Sequence, residues 1–81
     1  MIQIDLKFAG YFRKFLEEGK EYIRISLEKP STIRDIFVNV GIDLKKVKVK
    51  PIIIVNGKVY NLDYVVEDGD EVILINMIAG G

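Results

Sequence analysis

Apolar and polar positions alternate strictly at the start of the chain, where Ile2, Ile4, Leu6 and Phe8 are separated by Gln3, Asp5 and Lys7. A period of two is the mark of a strand with one buried face. The alternation breaks from Ala9 to Leu16, where Tyr11, Phe12, Phe15 and Leu16 predict a short helical turn closing near Gly19 and Lys20. It returns from Tyr22 to Glu28 with Ile23, Ile25 and Leu27 on one side, so the first two strands are expected to form an antiparallel hairpin. Pro30-Ser31-Thr32 ends that hairpin and opens a helix. Ser31 or Thr32 can cap it, and Thr32-Ile33-Arg34-Asp35 has capping-box spacing with Asp in place of Glu. Ile33, Ile36, Phe37 and Val40 follow helical spacing, and Gly41 is placed to stop the helix.

In the second half, Lys45 to Lys50 forms a basic connector and Pro51 introduces Ile52-Ile53-Ile54-Val55, a continuous apolar run suited to a strand. Asn56-Gly57 is the strongest two-residue hairpin signal in the chain, and Lys58-Val59-Tyr60 returns from it. Asp68-Gly69-Asp70 makes a final turn into Glu71 to Met77, a strand apolar on both faces and therefore central or covered by a partner. Hairpin, helix, hairpin and closing central strand is the order of an α+β β-grasp. The expectation is a mixed sheet of four to five strands with one main helix on one face, and with the first and last strands parallel. The whole chain, 1–81, is expected to be one such domain carrying a flexible Gly-Gly tail from about 77 to 81.

Composition then narrows the chemistry. Without cysteine or histidine, thiol nucleophiles, tetrahedral zinc sites and imidazole acid–base catalysis are excluded. Ser26, Ser31 and Thr32 lack a base partner, so no catalytic residue and no metal site is expected. Lys+Arg and Asp+Glu both number 12, so long-range attraction to nucleic acid or an anionic membrane is not expected. Tyr11, Tyr22, Tyr60 and Tyr64, with no basic interleaving, read as packing residues. No apolar run approaches the ~20 residues of a membrane span, and Met1 leads directly into a strand pattern, which gives a cytoplasmic expectation. Charges are nonetheless segregated: Lys45, Lys46, Lys48 and Lys50 fall together, and Asp63, Glu67, Asp68, Asp70 and Glu71 crowd the approach to the last strand. Each is a solvated loop or a docking patch, and of the two the acidic stretch is the expected contact, meeting a basic groove on a partner.

The remaining candidate chemistry lies at Ala79-Gly80-Gly81. Glycine has no Cβ, so such a tail can enter a channel too narrow for other residues. Its carboxylate, ionised at neutral pH, can act as an oxygen nucleophile. On the last strand, Val72 and Leu74 share one face while Ile73 and Ile75 take the other. If one helix covers one face, Ile73 and Ile75 stand on the open side with Val59, unless loops or the short turn cover them. Val59, Ile73, Ile75, Met77 and Ile78 are therefore the candidate partner-docking residues.

Phe8-Ala9 followed by Phe12-Arg13, Val55-Asn56-Gly57, Asp68-Gly69-Asp70-Glu71-Val72 and the terminal Ala79-Gly80-Gly81 together resemble the MoaD and ThiS sulfur carriers and their ubiquitin-like relatives. The resemblance spans the chain and is closer to MoaD, the small subunit of molybdopterin synthase. MoaD chains usually carry a proline pair where this chain has Asn76-Met77. The resemblance implies a carrier and not an enzyme. A ubiquitin-activating-like partner uses ATP to adenylate the Gly81 carboxylate, Ala79 and Gly80 thread that partner's active site, and the carboxylate becomes a thiocarboxylate. The sulfur acceptor would be a molybdopterin synthase large subunit or a thiazole synthase, in molybdopterin, tungstopterin or thiamine biosynthesis. No cofactor is expected on this chain, since Asn56-Gly57 and Asp68-Gly69 lack phosphate-binding spacing. Two alternatives stand beside it: a ubiquitin-like modifier joined through Gly81 to lysines, and a non-catalytic β-grasp interaction module.

Overall fold

The structure is a computed structural model and describes residues 1–77. In chain order it consists of β1 (Ile2–Phe8), a 3₁₀ helix (Gly10–Phe15), β2 (Tyr22–Leu27), α1 (Ile33–Asn39), a second 3₁₀ helix (Leu44–Lys46), β3 (Pro51–Val55), β4 (Lys58–Tyr60) and β5 (Glu71–Asn76). The strands form one sheet in the order β2-β1-β5-β3-β4. β1 pairs with β5 in parallel, and every other pairing is antiparallel. This is a ubiquitin-like β-grasp: a mixed five-stranded sheet with one main helix on one face. The last strand is central, as its two apolar faces require.

Strand parity sets the core. Ile4, Leu6 and Phe8 of β1, Ile53 and Val55 of β3, and Val72 and Leu74 of β5 are buried under Ile33, Ile36 and Phe37 of α1. Ile23, Ile25 and Leu27 of β2 pack against the rim of that cluster. The helix start is secured twice. Thr32 Oγ1 accepts a hydrogen bond from the Asp35 amide (3.2 Å), and the amides of Ile33 and Arg34 donate to the carbonyls of Tyr64 (3.0 Å) and Leu62 (3.1 Å). Amides that a helix N-terminus leaves without intrahelical partners thus find acceptors in the loop before β5. Between β3 and β4, Asn56 (φ 50°) and Gly57 (φ 87°) both take left-handed conformations, the type I′ geometry that the Asn-Gly pair favours.

The ladder of β5 ends at Asn76, one residue before the expected boundary, yet the Met77 amide still donates to the Lys50 carbonyl at 2.9 Å. The antiparallel register with β3 therefore carries one step past both strands. Ile78, Ala79, Gly80 and Gly81 lie outside the described residues.

Candidate functional site

The face of the sheet turned away from α1 is built by register. Cross-strand partners line up as Tyr22–Lys7–Ile73–Ile54–Val59 in one row and Arg24–Asp5–Glu71 in the next, with Ile52 opposite Ile75. Two regions result. Over β2 and β1 the face is charged and self-paired: Lys7 Nζ lies 3.0 Å from Glu71 Oε2, and Arg24 Nε donates to Asp5 Oδ1 at 2.9 Å. That hydrogen bond holds the Asp5 carboxyl below its ordinary range and raises the Arg24 guanidinium. Over β5, β3 and β4 the face is apolar, formed by Ile73, Ile75, Ile52, Ile54 and Val59, the last 71% exposed.

Among the predicted docking residues, the fold brings Val59, Ile73 and Ile75 onto this face, and Met77, 48% exposed, continues it where the chain leaves the sheet. The four isoleucines are half-buried by one another and by neighbouring strands. Ile52 and Ile54 were not singled out in the sequence. A run of four apolar residues shows no alternation, so only the pairing Ile54↔Ile73 and Ile52↔Ile75 reveals which of them face outward. The remaining predicted positions, Ile78, Ala79, Gly80 and Gly81, fall outside the described residues.

Two side-chain clusters fix the ends of β5. At its start, Asp70 is 5% exposed and its carboxylate accepts from Asn56 Nδ2 (2.8 Å), the Tyr64 hydroxyl (2.9 Å) and the Glu67 amide (2.8 Å). Asn56 answers across the same gap: its Oδ1 accepts from the Glu71 amide at 3.0 Å and its amide donates to the Glu71 carbonyl at 3.0 Å. Burial, followed by the hydrogen bond to the Asp70 carboxylate, pushes the Tyr64 phenol up to about 12. At the strand's end, Asn76 Oδ1 accepts from the Tyr11 amide at 2.8 Å, and the Ala9 amide donates to the Leu74 carbonyl at 2.9 Å. Gly10 sits between them at φ 58°, and a Cβ there would overlap Asn76 Oδ1. Asn76, standing where the resemblance anticipates proline, thus pins the loop after β1 to the last strand through its side chain.

The acidic stretch behaves differently from its sequence reading. Asp63 pairs with Arg34, Asp68 Oδ1 accepts from the Gln3 amide at 2.8 Å, Asp70 is buried and Glu71 pairs with Lys7. These carboxylates hold turns and strands together, and Glu67 is the member whose side chain enters no such bond among the described residues. Most of the stretch therefore has partners within the fold, while Asp63, Glu67 and Asp68 stay exposed. The lysines of the connector enter no ion pair among the described residues.

Comparison with known proteins places this geometry. A sequence model described as Mut7-C ubiquitin matches residues 1–78. Among curated proteins, none matches the chain. Of solved structures, small archaeal modifier protein 1 of H. volcanii is similar with a TM-score of 0.74 at 15% identity, covering 96% of this chain and 100% of that one. Urm1 of Trypanosoma brucei is similar at 0.67 and 20% identity, over 98% of this chain and 95% of that one. A chain from the Helicobacter pylori complex of molybdopterin-converting factor subunits 1 and 2 is similar at 0.63 and 18%, over 99% and 100%. At such identities the likeness speaks for the fold. Among the described residues, no helix is long and apolar enough to cross a membrane.

Proposed function

The chain belongs to the Mut7-C ubiquitin family, and from that premise we propose that it is a sulfur carrier whose Gly81 carboxylate is activated by a partner enzyme. The observation that carries the reading is the central place of β5, paired with β1 as far as Leu74 and with β3 as far as Asn76, and followed in sequence by Met77-Ile78-Ala79-Gly80-Gly81. A rigid body presents a narrow terminal segment, and glycine backbone suits a confined channel. The fold shared with modifiers and with a molybdopterin-converting factor subunit supports it.

In this reading a Gly81 carboxylate oxygen attacks the α-phosphorus of ATP held by the partner, and pyrophosphate leaves. Adenylation supplies the leaving group that a carboxylate lacks. Sulfide, or a sulfur donor of equivalent oxidation level, then attacks the acyl carbon; the bond to AMP breaks and a thiocarboxylate remains. The chain contributes the acyl group, with Ala79 and Gly80 as slender backbone, and the apolar half of the open face, Val59, Ile73, Ile75, Met77 and Ile78, docks the partner. The thiocarboxylate then serves an acceptor such as a molybdopterin synthase large subunit or a thiazole synthase.

Intact mass after incubation with ATP, the host's activating enzyme and sulfide tests this. A gain of about 16 Da, the exchange of oxygen for sulfur, is the expected result. An unchanged mass would overturn it. The same fold in small archaeal modifier protein 1 and Urm1 favours a second reading, in which the adenylate passes to lysines of other proteins; a ladder of larger conjugates is its signature.

A further inference from the structure

The fold disposes of its two charge clusters in opposite ways. Four of the five acids of the acidic stretch are partnered within the molecule, Asp63 by Arg34, Asp68 by the Gln3 amide, Asp70 by its own network and Glu71 by Lys7. The basic stretch is held outward. Val47 and Val49 pack against the core, and the residues alternating with them, Lys46, Lys48 and Lys50, are all exposed. Anchoring every second residue keeps three ammonium groups on one short length of backbone, none of them in an ion pair among the described residues. The position of that segment is fixed as well. Lys50 immediately precedes β3, and its carbonyl accepts the Met77 amide at 2.9 Å. Continuing the Pro51↔Asn76 register by one step sets Lys50 beside Met77 at the end of the apolar half of the open face. Of the cations that enter no ion pair among the described residues, Lys50 therefore stands beside Met77, with Lys48 and Lys46 preceding it on the same exposed parity.

We propose that the partner receiving the C-terminal segment carries an acidic surface that meets Lys46, Lys48 and Lys50, next to an apolar surface that covers Ile52, Ile75 and Met77. This rests on the carrier reading above and adds the chemistry of the partner. An apolar patch alone gives adhesion without direction. Three cations at one end of it fix the orientation in which a partner arrives, and they speed arrival because charge complementarity acts mainly on association. The cost of desolvating exposed lysines is small as long as they remain at the rim of the contact.

The test uses the full-length chain and the host's own adenylating enzyme, with pyrophosphate release as the rate readout and intact mass as the product readout. Three chains are compared: wild type, K46Q/K48Q/K50Q and K46E/K48E/K50E, each checked for an unchanged circular dichroism spectrum. All three positions are exposed, and the glutamine set guards against a folding defect in the glutamate set. Expected is a fall in kcat/KM of about tenfold or more for the glutamate chain, an intermediate value for the glutamine chain and unchanged kcat at saturation. The gap to wild type should close as salt rises past about 0.5 M, where screening takes over. Equal kcat/KM and equal salt dependence across the three chains would overturn the acidic-partner proposal and leave the carrier reading standing. Absence of pyrophosphate release and of mass gain from wild type would overturn both.

Discussion

Leu74 and Ile73 are neighbours on the same strand and nearly the same in size and apolarity, yet Leu74 is 0% exposed and Ile73 is only half-buried. The difference is made by what lies over each face. Leu74 points to α1 and shares a sealed cluster with Phe8, Phe12 and Ile36, whereas Ile73 stands between Lys7 and Ile54 with no element above it among the described residues. Hydrophobicity is therefore spent twice on β5, once on holding the body together and once on a surface. The two kinds of residue answer differently to mutation.

The largest expected effect is on the covered side. Leu74→Ala should lower unfolding free energy by about 3 kcal/mol, transfer loss plus a cavity that its neighbours cannot fill, whereas Ile73→Ala should cost roughly half as much, since part of its surface already meets water. Urea denaturation of both variants decides the matter, and equal losses would break the contrast between the faces. Next is Gly10→Ala, which places a Cβ against Asn76 Oδ1 at a left-handed backbone position and should cost about 2 kcal/mol. Asn76→Ala in the same chain should recover part of that loss, because it removes the overlapping atom. The φ of 58° at residue 10 would remain.

On the open side the expected response is functional. Val59→Ser should shift the unfolding midpoint little, since Val59 is 71% exposed and surface changes away from packed features fall within about 0.5 kcal/mol, while the KM of the activating enzyme for the chain rises several-fold. A variant that loses stability without any change in KM would mean that the open face is packed in solution and docks nothing.

The smallest effect is spectroscopic and belongs to the covered start of β5. The Tyr64 phenol, raised to about 12 in the folded protein, ionises later than in the unfolded chain, where it takes the ordinary value near 10. Its contribution to stability is whole below pH 10 and is lost as pH climbs from about 10 to 12. An alkaline titration followed by phenolate absorbance should show a late step centred near 12 that Tyr64→Phe removes. A late step that survives the substitution would assign it elsewhere.

Much of this architecture could be read from local patterns. Alternation in β1 and β2 gave both the strands and their buried faces, and Asn56-Gly57 gave the hairpin, because those signals depend only on neighbouring residues. The pairing of Val59 with Ile73 through Ile54 was legible in part, since parity fixes a face once the order of strands is known. Polar side chains that reach across the fold were not legible. Asp70 looked like one more acid in a charged stretch, and only the structure shows Asn56, Tyr64 and the Glu67 amide closing around it. Asn76 carried a faint signal, a polar residue on the same parity as Val72 and Leu74, which calls for a hydrogen-bond partner without saying that the partner is the Tyr11 amide, 65 residues away.

The central place of β5 has a consequence for how the protein is made. β1 and β2 form one hairpin, β3 and β4 another, and β5 is the strand that joins them, reaching back to pair Glu71 with Asp5. Two-stranded hairpins are marginal in water by themselves, so neither half gains a stable neighbour until the last strand has been synthesised. Contacts of such long sequence separation also make for slow, late closure. A ribosome that stalls before residue 71 leaves two loose hairpins with bare edges, ready substrates for proteases, and only a chain that has reached β5 acquires a lasting body.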